Sequence, residues 1–423
     1  MPSSSQSTMT TRPPAPLRSP TFRTLLGSEF VSLVGDRLVM VALVALVYDL
    51  TKSAAVVALL MLVKAIPAIV IGGLAGSVVD RVNRKWLMVG ANALQGLIVL
   101  AIPATHHLTV VVTAYLLMSV VNQFFIPARA ATIPDLIAPQ SLMTANALFG
   151  MAFVGAIAFG PFIGGWIADR YGLDAAFYVD SLTFLVPALA VATLRLPQHR
   201  AATGRAAERR SLIADTREGL GFARGHRATG LALTASAGAA LVIAAMSVLG
   251  IVIAQETLGL TVSGYGLMMS SMGAGMLVAA VALGRRRGRS ADSSSSSGSS
   301  GSSDSAKRSR LGLVGLLLAA LGLVILPWLT TLAPALLCSS VIGAGVLAVQ
   351  ISTQTTLQSA PPQLRGRVLG LGQSVTGIAQ VIAIILTAAL TAPIGPSWVL
   401  CGTGLLTAAT AFILLARSER ASS

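Results

Sequence analysis

The chain has 423 residues, of which 54% are hydrophobic and only 11% are charged, whereas soluble domains are usually about 25% charged. So little polar surface excludes a soluble globule of this size, and the composition also excludes collagen-like, disordered and disulfide-rich chains. The formal net charge of +15 could suit nucleic acid, but we exclude that partner because the Lys and Arg residues lie almost entirely in alternate loops.

Most of the apolar residues fall into twelve runs that are separated by short polar breaks. An α-helix needs about 20 residues to cross the hydrocarbon core of a bilayer, and the runs are close to this length. The predicted spans cover residues 24–48, 54–79, 86–104, 108–127, 141–168, 175–194, 229–255, 263–283, 311–328, 332–357, 367–391 and 396–416. The sequence therefore predicts an all-α membrane protein with twelve transmembrane helices in a lipid bilayer.

The positive charges predict how these spans are oriented. Twenty-six of the 30 Lys and Arg residues lie in the two terminal segments or in every second loop, and the opposite loops hold only Lys52 and Arg170. The remaining two cations, Arg37 and Lys64, lie inside spans. Because cytoplasmic loops are enriched in Lys and Arg, we expect a multi-pass protein of the cell (inner) membrane with both termini in the cytoplasm.

The charged break at residues 195–227 divides the spans into two halves of six. PQSL at 139–142 and PQL at 362–364 follow the fourth and tenth spans, which indicates two pseudo-symmetric bundles related by a parallel repeat. The expected organisation is a disordered cytoplasmic tail at 1–22, an N-terminal six-helix bundle at 23–194, a cytoplasmic linker at 195–227, a C-terminal six-helix bundle at 228–416 with a flexible Ser-rich loop at 285–310, and a cytoplasmic tail at 417–423.

Ionisable side chains inside the spans are few, and such groups are costly in lipid and commonly functional. Glu29, Ser32 and Asp36 share one face of the first helix, and Asp36 lies near the membrane centre together with Arg37 and Lys64. We expect Asp36 to take up and release a proton while the two cations hold its charge, with Glu29 as a further candidate. The alternatives are a static buried ion pair, or snorkelling of the charges with a local lipid defect; Glu29 could also be an interfacial acid.

Neutral polar residues in the apolar runs are candidates for a substrate cavity. They could instead only form hydrogen bonds between helices. Asp180 in the sixth span either lines the mouth of the cavity or bonds to Ser181 and Thr183. The second half has no ionisable residue in mid-span, so we expect any coupling chemistry in the first half. The candidate cavity residues are Asn122, Gln123, Asn146, Asp180, Gln350, Gln354, Gln373 and Gln380.

The loop between spans 2 and 3 reads GSVVDRVNRK at residues 76–85. From its residues alone, Asp80 either caps a neighbouring helix as a latch or belongs to a simple cluster of topogenic charges. The spelling resembles the signature of this loop in the major facilitator superfamily. Asn83 stands where that signature has Gly, and asparagine tolerates the left-handed conformation that the turn would need. The matching residues of this cytoplasmic gating motif are Gly76, Asp80, Arg81, Arg84 and Lys85.

Further stretches resemble the drug-exporter branch of this superfamily, which includes macrolide efflux proteins and the enterobactin exporter. They are residues 22–54, with Asp36 at the position of an acid in that branch, residues 124–148, and residues 361–380. In the fifth span, Gly160, Pro161, Gly164 and Gly165 are similar to the core of the motif associated with antiporters. The resemblance implies the major facilitator fold and proton-coupled export of a drug, macrolide or siderophore by alternating access.

Other functions have weaker support in the sequence. There is no nucleotide-binding loop, no pair of histidines suited to zinc and no catalytic constellation, so we expect a monomer that is not an enzyme and needs no cofactor beyond a proton gradient. One alternative is a facilitator or importer of an anionic small molecule, bound by Arg37 and Lys64. The other is a membrane protein of signalling or assembly that does not transport.

Overall fold

The computed structural model describes residues 16–71, 75, 78–79, 81–195, 221, 223, 225–293 and 301–419, and these residues form helices and no strand. Shorter helical turns adjoin the main helices at Pro16–Arg18, Ala101–Thr105, Pro139–Ser141, Ile253–Thr257 and Leu326–Trp328. The main helices are α1 (Pro20–Thr51), α2 (Ala54–Val70), α3 (Arg84–Val99), α4 (Leu108–Leu136), α5 (Leu142–Tyr171), α6 (Leu173–Thr193), α7 (Arg227–Val252), α8 (Val262–Ser293), α9 (Gly301–Ile325), α10 (Leu332–Gln358), α11 (Pro362–Ile394) and α12 (Pro396–Glu419).

The helices confirm the predicted all-α membrane fold. Eleven helical stretches are long and apolar enough to cross a bilayer, and α2 supplies a shorter apolar helix at Ala54–Ala68. Part of the second predicted span, at 72–74 and 76–77, lies outside the described residues, as do residues 1–15 of the N-terminal tail and 196–220 of the linker. The C-terminal residues 420–423 also lie outside them.

Two predicted boundaries are wrong. The fourth span was expected to end at residue 127, but α4 continues to Leu136 with Pro127 and Pro134 inside it, because neighbouring membrane helices can satisfy the carbonyls that proline frees. The Ser-rich loop was expected to be irregular over 285–310, but α8 runs to Ser293 and α9 begins at Gly301. Arg and Ala are good helix formers, which favours this continuation.

The same packing pattern occurs in both halves. In the first half α1 packs on α5 and α6, and α3 packs on α4 and α6. In the second half α7 packs on α11 and α12, and α9 packs on α10 and α12. Each of these contacts of the first half therefore has its counterpart six helices later, which is the arrangement of two pseudo-symmetric bundles.

The halves meet where α5 crosses α8 and where α2 crosses α11. Small residues let the first of these pairs approach closely: a Cβ added to Gly273 of α8 would lie 2.6 Å from the Cα of Ala158 on α5. Membrane helices associate largely through such packing, since lipid supplies no hydrophobic drive between them.

Polar contacts between the halves lie on the side that carries the α1–α2, α5–α6 and α7–α8 connections, which we call the distal side; the side of the termini is proximal. The hydroxyl of Tyr48, near the end of α1, donates to the carboxylate of Glu256, just after α7. The backbone N–H of Ser263 donates to Asp169 Oδ2 at 3.0 Å. Towards the proximal end of α5, by contrast, Met143 is 81% exposed. The halves are therefore joined at the distal side.

Candidate functional site

Asp36 lies on α1, half-buried, and the ion pairs within 4.0 Å that the described residues form do not include it. Arg37 and Lys64 act on its charge from longer range. Lys64 is exposed on α2, and the chain neighbour Arg37 is turned elsewhere. The described part of the chain therefore shows no contact ion pair at Asp36.

Arg37 points from α1 towards α5. Its guanidinium lies 5.1 Å from the ring centroid of Phe153, a cation–π arrangement, and its Nε has no hydrogen-bond partner among the described residues. A cation that lacks a carboxylate in contact remains available to a mobile negative charge, either that of Asp36 or that of a bound anion.

Glu29 is 5% exposed and forms an ion pair with Arg129 of α4. The guanidinium of Arg129 also lies 5.5 Å from the ring centroid of Phe149 on α5. Arg129 lies beyond residue 127, where the fourth span was predicted to end, and was therefore expected in a loop, so this pair was not predicted. The apolar residues that continue beyond Pro127 were the signal for a longer helix. Glu29 is therefore a buried member of an ion pair between α1 and α4.

Asp180 is fully buried on α6, so the expectation that it lines the mouth of the cavity is wrong. The hydroxyl of Thr183 donates to Asp180 Oδ1 at 3.1 Å, as the second interpretation expected, whereas Ser181 donates to the carbonyl of Gly96 on α3 at 2.8 Å. A Cβ added to Gly35 would lie 2.6 Å from Asp180 Oδ1. The carboxyl group of Asp180 therefore sits against α1 beside the residue that precedes Asp36.

The neutral polar candidates fall into two groups by exposure. The side chain of Gln123 donates to the carbonyl of Ser119 one turn earlier at 3.2 Å, a bond within α4 and not the expected bond between helices. Asn92 and Gln95 of α3 are only 2% and 3% exposed, and neither was among the predicted candidates. Asn146, Gln350, Gln354 and Gln373 are exposed, and Asn122, Gln123 and Gln380 are half-buried.

The gating motif ties α3 to the proximal end of α4. Arg84 Nη1 donates to the carbonyl of Ala131 and to Asp135 Oδ2, each at 3.0 Å. These contacts lie within one half, so they brace the first bundle. Arg81 is exposed.

Asn83 begins α3 as its N-cap. Its Oδ1 accepts hydrogen bonds from the backbone N–H groups of Lys85 at 3.0 Å and Trp86 at 3.3 Å. Its φ is −69°, so the expected left-handed conformation is wrong, because the asparagine acts here through its side chain. Gly76 and Asp80 lie outside the described residues.

Two glycines of the antiporter-like motif on α5, Gly160 and Gly164, pack closely against α1. A Cβ at Gly160 would lie 2.5 Å from Arg37 Cβ and 2.9 Å from the carbonyl oxygen of Val34, and one at Gly164 would lie 2.8 Å from the Cα of Leu38. These glycines let the α5 backbone touch α1 on either side of Asp36. Because the two backbones are in contact, a movement of α1 must displace α5 or alter its packing.

The same motif makes close contact with the other half. A Cβ at Gly165 would lie 2.6 Å from the carbonyl oxygen of Val262 on α8, and one at Gly266 would meet Pro161 of α5. The backbone N–H of Phe162 donates to Ser270 Oγ at 2.8 Å. α5 thus contacts both α1, which carries Asp36, and α8 of the second half.

The family model of the Major Facilitator Superfamily matches residues 25–383 of the chain. The chain is 25% identical over 200 residues to the uncharacterized MFS-type transporter YfiS of Bacillus subtilis (strain 168), which covers 47% of this chain and 48% of that protein. It is 26% identical over 183 residues to macrolide efflux protein A of Streptococcus pyogenes, covering 42% and 45%. The chain spans about half the length of the curated relatives it matches.

Solved transporter structures resemble the whole chain at low identity, which shows the fold alone. The peptide transporter POT in complex with sulfate has a TM-score of 0.74 and 13% identity over 95% of this chain and 94% of that chain. The nucleoside transporter NupG has a TM-score of 0.69 and 12% identity over 94% and 99%. A bacterial homolog of the human lysosomal transporter Spinster, solved inward-facing and unoccupied, has a TM-score of 0.68 and 12% identity over 95% of both chains.

Proposed function

The chain belongs to the Major Facilitator Superfamily, and we propose that it is a proton-coupled antiporter that exports an amphipathic small molecule by alternating access. The observation that carries this proposal is the carboxyl group of Asp36, which lies inside a membrane helix with no contact ion pair among the described residues. Arg37 and Lys64 act on its charge. A carboxylate placed in this way can bind and release a proton without first breaking a salt bridge.

Protonation at Asp36 has a mechanical route to the rest of the molecule. α1 packs on α5, and α5 packs on α8 of the other half through Gly165 and Pro161. In an alternating cycle the distal contacts at Tyr48 and Asp169 break when the distal side opens. Coupling requires that the proton and the substrate stabilise opposite states, since a ligand shifts an equilibrium only through its differential affinity.

The proposed substrate class follows from the side chains available to it. Exposed amides such as Gln350 and Gln354 offer hydrogen bonds, and the half-exposed Phe153 offers apolar surface next to Arg37. Such a lining suits a bulky and partly hydrophobic compound, such as a drug, macrolide or siderophore. The similarity to macrolide efflux protein A supports the direction of export.

A second candidate is a facilitator or importer of an anionic small molecule. It is favoured by Arg37, whose Nε has no hydrogen-bond partner among the described residues, and by the exposure of Lys64. In that case the two cations would bind the substrate directly, and Asp36 would only tune their charge. The remaining class is a membrane protein of signalling or assembly that does not transport.

Transport into everted membrane vesicles separates these functions. We expect accumulation of at least one of erythromycin, ethidium and enterobactin when the vesicle lumen is acidic, because about one pH unit can drive about tenfold accumulation per proton exchanged. Flux that is independent of the pH gradient would support a facilitator, and no flux of any compound would support the class that does not transport.

Asp36→Asn tests the coupling residue itself. We expect the variant to insert normally and to lose accumulation driven by the gradient, while exchange of substrate at equal pH persists. The matched control is Asp49→Asn on the same helix, where the carboxylate is exposed and pairs with Lys52 at 2.8 Å. Undiminished driven accumulation in Asp36→Asn would exclude the coupling role.

A further inference from the structure

Helix α3 has one exposed side along most of its length. Its exposed residues recur at i, i+4, i+8 and i+11, which places them on one face of the helix. They are Trp86, Gly90, Leu94 and Leu97. The opposite face, which includes Met88, is buried in the first bundle against α4 and α6. An exposed apolar stripe of this kind on a membrane helix faces lipid.

The stripe ends on the proximal side at Trp86, which is 59% exposed. The helical stretch continues from there for nineteen residues to Thr105, which is about 28 Å and close to the thickness of the hydrocarbon core. Trp86 therefore lies at the edge of the hydrocarbon, beside the lipid headgroups, where tryptophan is enriched. The other three of the four tryptophans lie near the distal ends of their helices, at Trp166, Trp328 and Trp398.

Two cations accompany Trp86 at this level. Lys85 Nζ lies 5.1 Å from the centroid of the Trp86 ring, and Arg81 is exposed in the turn before α3. Neither cation belongs to the ion pairs within 4.0 Å that the described residues form. Arg84, by contrast, is turned inwards to Asp135 of α4. The α3 surface, by which we mean Arg81, Lys85 and Trp86, therefore combines two positive charges with an apolar ring at the membrane boundary.

The backbone beneath the α3 surface is held in place by hydrogen bonds. Asn83 Oδ1 accepts from the backbone N–H groups of Lys85 at 3.0 Å and Trp86 at 3.3 Å. Arg84 Nη1 donates to the carbonyl of Ala131 at 3.0 Å and so fastens the same turn to α4. A ligand that binds here orders side chains and not a loop, which lowers the entropy that binding costs.

We propose that the α3 surface binds the headgroup of an anionic phospholipid, such as phosphatidylglycerol, in the leaflet on the proximal side. The lipid phosphate accepts hydrogen bonds from the guanidinium of Arg81 and the ammonium of Lys85. The ring of Trp86 packs against the glycerol and the upper acyl chains. Charge complementarity selects this occupant, because a zwitterionic headgroup carries its own cation beside the phosphate. This binding does not depend on the direction or the coupling of transport.

Fluorescence quenching by lipids with brominated acyl chains tests the proposal on the full chain in phosphatidylcholine vesicles. Phe replaces Trp166, Trp328 and Trp398, so that Trp86 is the tryptophan observed. At low salt we expect brominated phosphatidylglycerol to associate at Trp86 about fivefold more strongly than brominated phosphatidylcholine, because each cation near the membrane surface attracts anionic lipid. High salt should weaken this preference by screening the charges.

Charge variants show whether the preference belongs to the α3 surface. Lys85→Gln and Arg81→Gln should each reduce it to about twofold or less, whereas Lys85→Arg keeps it. The matched control is Arg365→Gln, which removes an exposed cation from the proximal start of α11 in the second half and should leave the preference at Trp86 unchanged. A chain that keeps Trp328 in place of Trp86 observes the distal boundary and should show no preference.

Equal association of the two brominated lipids at Trp86 would overturn the proposal. An equal loss of preference in Arg365→Gln and Lys85→Gln would also overturn it, since the attraction would then be that of the whole proximal surface. If neither lipid quenches Trp86, another protein surface covers this face of α3 and the proposal is wrong. Spin-labelled lipids give the same comparison on the chain with all four tryptophans, where a preference that Lys85→Gln leaves unchanged would count against the site.

Discussion

Helices α1 and α7 occupy equivalent places in the two halves, but their side chains differ in kind. Each packs on the fifth and sixth helices of its own half. α1 carries Glu29, Asp36 and Arg37 along its length, whereas residues 228–252 of α7 include no charged side chain. In the apolar 18-residue segment of each helix, 78% is buried in the stretch that contains α7, against 61% in α1. The same helix packing therefore accommodates a helix with charged side chains in the first half and an uncharged one in the second.

The polar contacts that α1 and α7 make with neighbouring helices differ in the same way, being charged in the first half and neutral in the second. In the second half a neutral hydrogen bond of 2.7 Å joins Ser236 of α7 to Thr376 of α11. In the first half the corresponding crossing places Arg37 of α1 over Phe153 of α5, and the pair of Glu29 and Arg129 lies nearby. Helix packing is needed in both halves, and in the first half it is accompanied by the buried ion pair of Glu29 with Arg129. We therefore expect removal of one member of a buried ion pair to lower the free energy of unfolding more than a change in helix packing does.

The largest expected effect comes from Glu29→Gln. The glutamine keeps the shape of the side chain but leaves the half-buried Arg129 without its acidic partner, and breaking a buried pair from one side costs about 3 kcal/mol of unfolding free energy. Denaturant titration of the protein in detergent measures this change. Asp49→Asn, which removes the acid of an exposed pair, should cost about 0.5 kcal/mol or less.

The double variant Glu29→Gln with Arg129→Met tests whether the loss of stability comes from the unpaired cation. It makes the first half neutral at this position, like the second, and should recover about half of the loss or more, since no charge is then left buried and unpaired. If Glu29→Gln alone is as stable as wild type, the pair contributes nothing and the contrast between the halves is not one of stability.

The lengths of the apolar runs predicted the helices well because each span is a local property of about 20 neighbouring residues. The place of Asp36 within the first helix was predicted for the same reason. The partners of buried charges were not, since Glu29 and Arg129 are 100 residues apart and Tyr48 and Glu256 are 208 apart. Pairs of this kind depend on which helices become neighbours.

The burial of Asp180 shows the same limit at a single residue. The sequence left two positions open for Asp180, the mouth of the cavity or bonds to Ser181 and Thr183, because depth along a helix does not determine which way a side chain faces. Its surroundings depend on the close approach of Gly35, and that approach depends on the crossing of α1 with α6. The crossing is a property of the packed bundle, so no window of sequence contains it.

A smaller effect is expected from the crossing of α1 with α5. In Gly164→Ala the new Cβ would lie 2.8 Å from the Cα of Leu38, so backbone must move, at a cost of about 2 kcal/mol. Gly377→Ala on α11, the counterpart of α5, meets nothing within 4 Å and should change stability by about 0.5 kcal/mol or less. Thermal unfolding in detergent compares the two, and equal losses would mean that the first half is no more tightly built than the second.

The smallest effect concerns the bond that joins α1 to the end of α7. Tyr48→Phe removes the hydroxyl that donates to Glu256, and a net loss of about 1 kcal/mol should raise the population with an open distal side about fivefold. Spin labels at Thr105→Cys and Thr330→Cys, in a background with Cys338 and Cys401 replaced by Ala, report the distance between the distal loops of the two halves. Tyr178→Phe, at an exposed tyrosine of α6, is the control. A distance distribution that does not change in Tyr48→Phe would mean that the contacts of α5 with α8 close the distal side without help from this bond.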